Sequence, residues 1–315
     1  MAFGFSQKLE PEILNLVIIL GPTGVGKSRT AVDMALRFEG EVINGDSIQV
    51  YKGFDIGTDK PSTEARRGVP HHLIDVVEPG VQFTAADFVR EALLAAAEIA
   101  GRGRIPFVVG GTGLYLKALV EGLFPGPGRN PALRAELEAE AREKGLAALF
   151  RELEEADPAY ARKIRDRDRV RIIRALEVYR TTGRPMSEHF RETRSPSADF
   201  NVLKIGLRLE REALFLRIEE RVERMFASGL MDEARGLLKC GISQDAPPFR
   251  ALGYRHVLKH LGGEISLEEA KALTKRDTRH YAKRQETWFR KMAGVVWFSP
   301  DDLPGLEHYL QKHLK

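Results

Sequence analysis

Gly21-Pro-Thr-Gly-Val-Gly-Lys-Ser28 sets three glycines, a lysine and a serine at the spacing of a phosphate-holding loop. The chemistry on offer is anion binding. Glycines let backbone N–H groups turn inward, a following helix N-terminus adds partial positive charge, Lys27 adds a full one, and the Ser28 hydroxyl can ligate magnesium. A second stretch, Ile43-Asn-Gly-Asp-Ser-Ile-Gln-Val-Tyr51, sets a carboxylate and polar side chains directly after a short apolar strand. Asp46 there reads either as a proton acceptor or as the cap of a following helical turn. A third stretch, Gly110-Gly-Thr-Gly113, ends an apolar run in a glycine turn that carries one hydroxyl. A phosphoryl-transferring loop protein needs an aspartate at such a strand end to hold its metal, and none stands there. His71 and His72 are adjacent and cannot share one helical face, so a turn or core role is expected rather than metal ligation.

These loops need a scaffold. Residues 16–20 read as a buried strand, 21–26 as a loop and 28–38 as a helix. Residues 105–109 and 202–207 read as further buried strands, and 88–100 has helical spacing. The alternation predicts an α/β fold, a P-loop NTPase-like parallel sheet flanked by helices. Residues 131–191 are rich in Ala, Glu, Arg and Leu, with breakers on both sides, Phe124-Pro-Gly-Pro-Gly-Arg-Asn-Pro131 and Arg194-Ser-Pro-Ser-Ala-Asp199. They predict an all-helical insertion domain over 125–199, set into a core of 1–124 and 200–315. Helices over 210–260 and 267–292 are expected to follow the last long strand.

With 315 residues, 43% of them hydrophobic, the chain can bury a sizeable core. Net charge is only +4, but nine basic residues against three acidic ones fall in 162–184, and eight against two in 271–291. Two local clusters in a near-neutral chain point to a polyanion bound at defined places. At roughly 100° per residue, Arg276, Arg279, Lys283 and Arg290 share one helical face, with Tyr281 and Trp288 opposite. The first face suits phosphates, or is a solvated stripe; the second suits a core. The first fifteen residues carry Lys8, Glu10 and Glu12 and no apolar centre, and no later run is long enough to span a bilayer. A cytoplasmic protein with no membrane contact is therefore expected. Cys240, the only cysteine, excludes an internal disulfide or a cysteine-based zinc site and is expected to be a buried small hydrophobe.

Together with Asp55-Ile-Gly-Thr58, Pro70-His-His-Leu-Ile-Asp75, Gly110-Gly-Thr-Gly-Leu-Tyr115, Arg174-Ala-Leu-Glu-Val178, Gly253-Tyr254 and Ala282-Lys-Arg-Gln-Glu-Thr-Trp-Phe-Arg290, these stretches resemble the tRNA dimethylallyltransferases, also called tRNA isopentenyltransferases. The motifs stand in family order over almost the whole chain. Departures are small: Gly24 and Gly45 stand where alanine is common, and Val170 where a polar residue is usual. The resemblance implies transfer of a dimethylallyl group from dimethylallyl diphosphate to N6 of the adenine just 3′ of a tRNA anticodon. Gly21, Pro22, Thr23, Gly24, Val25, Gly26, Lys27 and Ser28 would then hold the diphosphate, with Mg2+ at Ser28. Asp46 would take the N6 proton, Thr112 would donate to the leaving oxygen, and Arg134 would lie near the bound substrate. The implied tRNA contacts are Asp46, Ser47, Ile48, Gln49, Thr112, Arg134, Arg171, Arg174, Arg250, Arg255, Lys283, Arg284, Gln285, Trp288 and Arg290. A monomer is expected.

Three other readings share part of these features. A small-molecule kinase shares the loop but gives no reason for the basic C-terminal helix. An RNA-remodelling NTPase explains that helix but lacks the strand-end aspartate. An enzyme that prenylates free adenine nucleotides shares the catalytic motifs but needs neither basic cluster.

Overall fold

The structure, a computed structural model, describes residues 14–314; the expectation about the first fifteen residues lies almost wholly outside them. The first half contains β1 (Leu14–Leu20), α1 (Lys27–Arg37), β2 (Gly40–Asn44), α2 (Thr63–Arg66), β3 (His71–His72), α3 (Ala85–Gly101), β4 (Ile105–Gly110) and α4 (Gly113–Glu121). Then come α5 (Pro131–Glu143), α6 (Leu146–Ala156), α7 (Pro158–Ala161), α8 (Arg169–Thr182) and α9 (Met186–His189). The chain returns through β5 (Phe200–Leu207), α10 (Arg211–Ala227), α11 (Leu230–Lys239), α12 (Leu252–Leu261), α13 (Leu267–Phe289), β6 (Val295–Phe298) and α14 (Leu303–His313). Its Cα packing divides it into two compact units, one of residues up to Val120 and from Pro196 onward, the other Glu121–Ser195.

In the first unit all six strands pair in parallel, in the order β3-β2-β4-β1-β5-β6. The continuous apolar run of β1 follows from its central position. Val17 and Ile19 pack with Met34 of α1 and Leu306 of α14 on one face, while Leu16, Ile18 and Leu20 pack with Phe88 of α3 and Leu116 of α4 on the other. All five strand residues are fully buried, each contributing about 2 kcal/mol relative to exposure. Parallel pairing sends the loops after β1, β2 and β4 to one edge of the sheet, where α/β proteins build their sites.

A third apolar cluster anchors the segment after β2. Phe54 meets Phe249 edge-on at 4.9 Å and Tyr254 at 5.1 Å. The Glu233 carboxylate of α11 accepts from the backbone N–H groups of Asp55, Ile56 and Gly57 and from the Tyr254 hydroxyl. Burial, with the Glu233 charge beside it, raises the Tyr254 pKa.

The second unit is helical, with Leu137, Leu149, Leu153, Ile172 and Leu176 at its centre. Its basic run is largely matched by acids: Arg169 pairs with Glu138, Arg180 with Glu140 and Glu152, and Arg184 with Glu192.

Some expectations need correction. The helix expected at 28–38 starts and ends one residue earlier. The elements anticipated from sequence stop at residue 292, yet β6 and α14 complete the sheet edge and cover one face. Cys240 is exposed, because it follows α11 as its C-cap rather than facing the core. On α13 the buried face is Ala270, Thr274, Thr278, Ala282, Gln285 and Phe289. Trp288 is 37% exposed and belongs to no core. Small residues line that face because α13 packs closely on α10 and α12.

Glu233→Ala should therefore leave three backbone donors and a phenol without their acceptor. Urea unfolding should show a loss of about 2 kcal/mol, and amide exchange should accelerate over residues 55–59; unchanged exchange there would deny Glu233 this anchoring role.

Candidate active site

The loop after β1 is shaped by its glycines. Gly24 and Gly26 adopt φ of 82° and 106°, a region closed to most side chains, so the chain can double back into the start of α1. Gly21, Pro22 and Val25 are buried beneath the loop, whereas Thr23, Gly24, Gly26, Lys27 and Ser28 line a cavity of about 400 Å³. Lys27 Nζ donates to the Pro22 carbonyl at 2.9 Å. Although part of the side chain touches the cavity, desolvation of its ammonium lowers the pKa to about 8, against the opposing pull of the Asp46 charge. The full positive charge expected at Lys27 thus titrates just above neutrality.

Asp46, Gln49 and Asn44 bring the loop after β2 into the same cavity. Asn44, 4% exposed, braces that loop by accepting from the Asp46 N–H at 3.1 Å and donating to the Asp46 and Leu73 carbonyls. Asp46 Oδ1 accepts from Ile48 N–H at 2.9 Å and Gln49 N–H at 3.4 Å, the geometry of a cap. Both alternatives for Asp46 therefore coexist: one oxygen caps the turn while the residue lines the cavity. Gln49 differs from expectation. Its amide nitrogen donates to the carbonyls of Thr58 and Asp59 at 3.0 and 3.1 Å, so its side-chain donor is already engaged within the protein.

The loop after β4 closes the floor. Gly45 N–H donates to Val109 O at 2.8 Å, and a Cβ at Gly110 would lie 2.2 Å from the Gly45 carbonyl oxygen. Only glycine allows that approach. Thr112 Oγ1 accepts from Ser47 N–H at 3.0 Å and donates to Ser47 Oγ at 3.3 Å. The hydroxyl expected to serve a leaving oxygen thus stitches two loops together here.

Arginines of α10 form the fourth wall. Arg217, Arg221 and Arg224 of α10 line the cavity, as do Asp59, Glu220 and Tyr281. Arg221 donates to Thr23 Oγ1 at 2.7 Å and pairs with Asp59 at 3.3 Å; Arg217 donates to Val25 O at 3.4 Å. Their spacing, i, i+4 and i+7, is a legible single-face signal. Burial pushes the Tyr281 pKa up to about 12; it faces the cavity instead of the core expected from the helical wheel.

A second cavity of about 340 Å³ shares Thr23, Asp46, Thr58, Arg221 and Tyr281 with the first. It adds Ser47, Ile48, Val222, Met225, Arg250, Leu252, Gly253 and Arg284. Arg255, expected beside Arg250, instead pairs with Asp277 at 2.6 Å, on a carboxylate that also binds His256. The basic face of α13 is also partly neutralised. Arg276 bonds Asp277, Arg279 pairs with Glu219, Lys283 lies over the Phe215 ring, and Arg290 stands 3.8 Å from Glu286. Gln285 is 5% exposed and bonds inward, to Thr23 and Gly111. It is not displayed as an RNA contact. In the helical unit, Arg134 and Arg174 both pair with the fully buried Glu177, and Arg174 also donates to Pro127 O. Arg171 pairs with Asp168 on the same unit.

Ser28 and Asp46 offer hard oxygen donors to the first cavity. Among the described residues no three His, Cys, Asp or Glu side chains form a metal cage. Mg2+ is commonly held by one or two protein oxygens plus substrate phosphates, so the residues present fit that ion when a diphosphate is bound.

Because the ammonium is charged below a pKa of about 8, affinity for inorganic diphosphate should be highest below that pH and fall as pH rises through it. Calorimetric titration should show this for the parent, and Lys27→Met should bind weakly with that component of the pH dependence gone.

The IPP transferase profile matches residues 49–292, and the isopentenyl transferase profile matches residues 14–80. The tRNA dimethylallyltransferase of Geobacter sulfurreducens is 52% identical over 282 residues, covering 90% of this chain and 91% of that protein. The tRNA dimethylallyltransferase of Thermomicrobium roseum is 47% identical over 302 residues, covering 95% and 90%. Among solved structures, the tRNA isopentenylpyrophosphate transferase of Bacillus halodurans superposes with a TM-score of 0.71 at 42% identity, covering 95% of this chain and 96% of that one. A eukaryotic dimethylallyltransferase acting on tRNA gives 0.80 at 31% identity, covering 95% and 77%. With a family profile spanning most of its length and relatives about half identical to it from end to end, the chain belongs to the IPP transferase family.

Proposed function

We propose that the protein transfers a dimethylallyl group from dimethylallyl diphosphate to N6 of the adenine just 3′ of a tRNA anticodon, releasing diphosphate, and that one chain suffices. The observation carrying this reading is the shared wall of the two cavities. Asp46 and Thr23 border both, with the phosphate loop and Lys27 in one and Ile48, Arg250 and Arg284 in the other. Donor and acceptor can thus meet at Asp46 from opposite sides.

In this reading the loop N–H groups, Lys27, Arg217, Arg221 and Arg224 hold the diphosphate. N6 attacks the allylic carbon, the carbon–oxygen bond breaks, and the bonding pair leaves with diphosphate. Asp46 receives the N6 proton; its Oδ1 is already held by two N–H groups, so Oδ2 is the accepting atom. Ser28 would hold Mg2+, which would neutralise charge on the departing diphosphate. The apolar side chains Ile48, Val222, Met225 and Leu252 keep water from the cation-like allylic centre. Thr112 would serve the leaving oxygen only by rotating away from Ser47. RNA positioning falls to Arg250, Arg255, Lys283, Arg284, Trp288 and Arg290 in the first unit and to Arg134, Arg171 and Arg174 in the helical one. The protein would work in the cytoplasm, where tRNA is available; among the described residues no helix is long and apolar enough to cross a membrane.

Labelled dimethylallyl diphosphate should mark tRNA and leave AMP and ATP unlabelled, and tRNA should not stimulate ATP hydrolysis. Labelling of AMP alone, or robust ATP turnover, would overturn the reading. Asp46→Asn caps almost as well as aspartate but lacks its basicity, so single-turnover transfer should drop by about two to four orders of magnitude while tRNA binding survives. A rate within a few-fold of the parent would remove Asp46 as the base.

A further inference from the structure

Gln285 sits on the helix that resemblance assigns to RNA, yet its amide is turned the other way. Its Oε1 accepts from Thr23 N–H at 2.8 Å, and its Nε2 donates to Gly111 O at 2.8 Å. Thr23 follows β1 and Gly111 follows β4, neighbours in the sheet. One buried side chain from α13 therefore spans the two loops that floor the phosphate cavity. The fit is close: a Cβ at Gly111 would lie 2.4 Å from Gln285 Nε2 and 3.5 Å from Lys27 Nζ. One turn on, Trp288 lies flush against Gly113, where a Cβ would stand 2.5 Å from its ring.

We propose that Gln285 is a positioning residue for the diphosphate, fixing the spacing between the β1 and β4 loops and the direction of the Thr23 amide. The proposal rests on the reading that this cavity holds diphosphate. The bridge demands one acceptor and one donor on a single planar group, which the glutamine amide supplies without titrating. With Thr23 N–H turned toward Gln285 and Val25 N–H toward the Pro22 carbonyl, the other loop N–H groups are left to form the cradle. Losing the bridge leaves Thr23 N–H and Gly111 O to find other partners, and the cradle relaxes. A carboxylate at this position still accepts from Thr23 but repels Gly111 O; once protonated it donates again and restores the bridge.

Inorganic diphosphate with Mg2+ is titrated into the full chain and its Gln285→Ala and Gln285→Glu variants, and transfer to tRNA is followed from about pH 6 to 8.5. At the upper end both variants should bind diphosphate about tenfold more weakly, the loss expected for one to two hydrogen bonds. KM for dimethylallyl diphosphate should rise in step, while tRNA affinity stays within about twofold of the parent. Relative to the parent at each pH, Gln285→Glu should recover as pH falls and Gln285→Ala should not. Parental diphosphate affinity in both variants would overturn the proposal, as would a defect confined to tRNA affinity. Should the alanine variant fail to fold, the glutamate variant decides alone, and lack of recovery at low pH counts against the bridge. A parent chain that transfers nothing to tRNA would sink the functional reading, and the diphosphate titration would still decide the role of Gln285.

Discussion

The site depends on one steric constraint, the backbone-to-backbone approach of the β2 and β4 strand ends at Gly45 and Gly110. Because a side chain at Gly110 would overlap the Gly45 carbonyl, two loops that elsewhere would be separated by a layer of side chains lie in direct contact. Thr112 is thereby brought within hydrogen-bond reach of Ser47, the residue that follows Asp46. The loop after β1 joins this floor through its own glycine turn, and α10 and α13 close it from the side. None of these groups is close in sequence. Their meeting follows from parallel pairing, which gathers strand C-termini at one edge.

The electrostatics are those of a site awaiting an anion. Lys27 and four arginines, Arg29, Arg217, Arg221 and Arg224, share the cavity lining with two aspartates and a glutamate. The acids hold the arginines in place, as Asp59 holds Arg221, without supplying enough charge to offset the desolvation of Lys27. An incoming diphosphate would bring the negative charge that restores the ammonium. Such a site binds its ligand partly by relieving its own unfavourable burial.

The same arithmetic of pairing changes the meaning of the basic runs. A one-dimensional count marks 162–184 and 271–291 as polyanion-binding stretches. In three dimensions Arg169, Arg180 and Arg184 face Glu138, Glu140, Glu152 and Glu192, and Arg279 and Lys275 face Glu219 and Glu223 of α10. Many of these cations organise helix packing. Exposed surface pairs of this kind contribute little stability each, and of the two runs only Arg284 lines the second cavity, together with Arg250 from outside them.

The sequence alone determined the α/β class, the strand–loop–helix unit around Lys27, the cavity position of Asp46 and the family, because each rests on local pattern: an unbroken apolar run, glycines that permit positive φ, a motif spelled within eight residues. It also contained signals that local reading passes over, such as the apolar run of β6 and the arginine spacing of α10. Side-chain direction, by contrast, came from tertiary packing. Gln285, one residue in a basic helix, turns inward to tie two loops; Gln49 gives its donor to Thr58 and Asp59; Arg255 pairs with Asp277; Tyr281 faces a cavity and Cys240 the solvent. The cause is clearest for Gln285, Arg255 and Tyr281. A side chain's partner is set by which element packs against it, and those elements, up to 262 residues away in the case of Thr23 and Gln285, are absent from any local window.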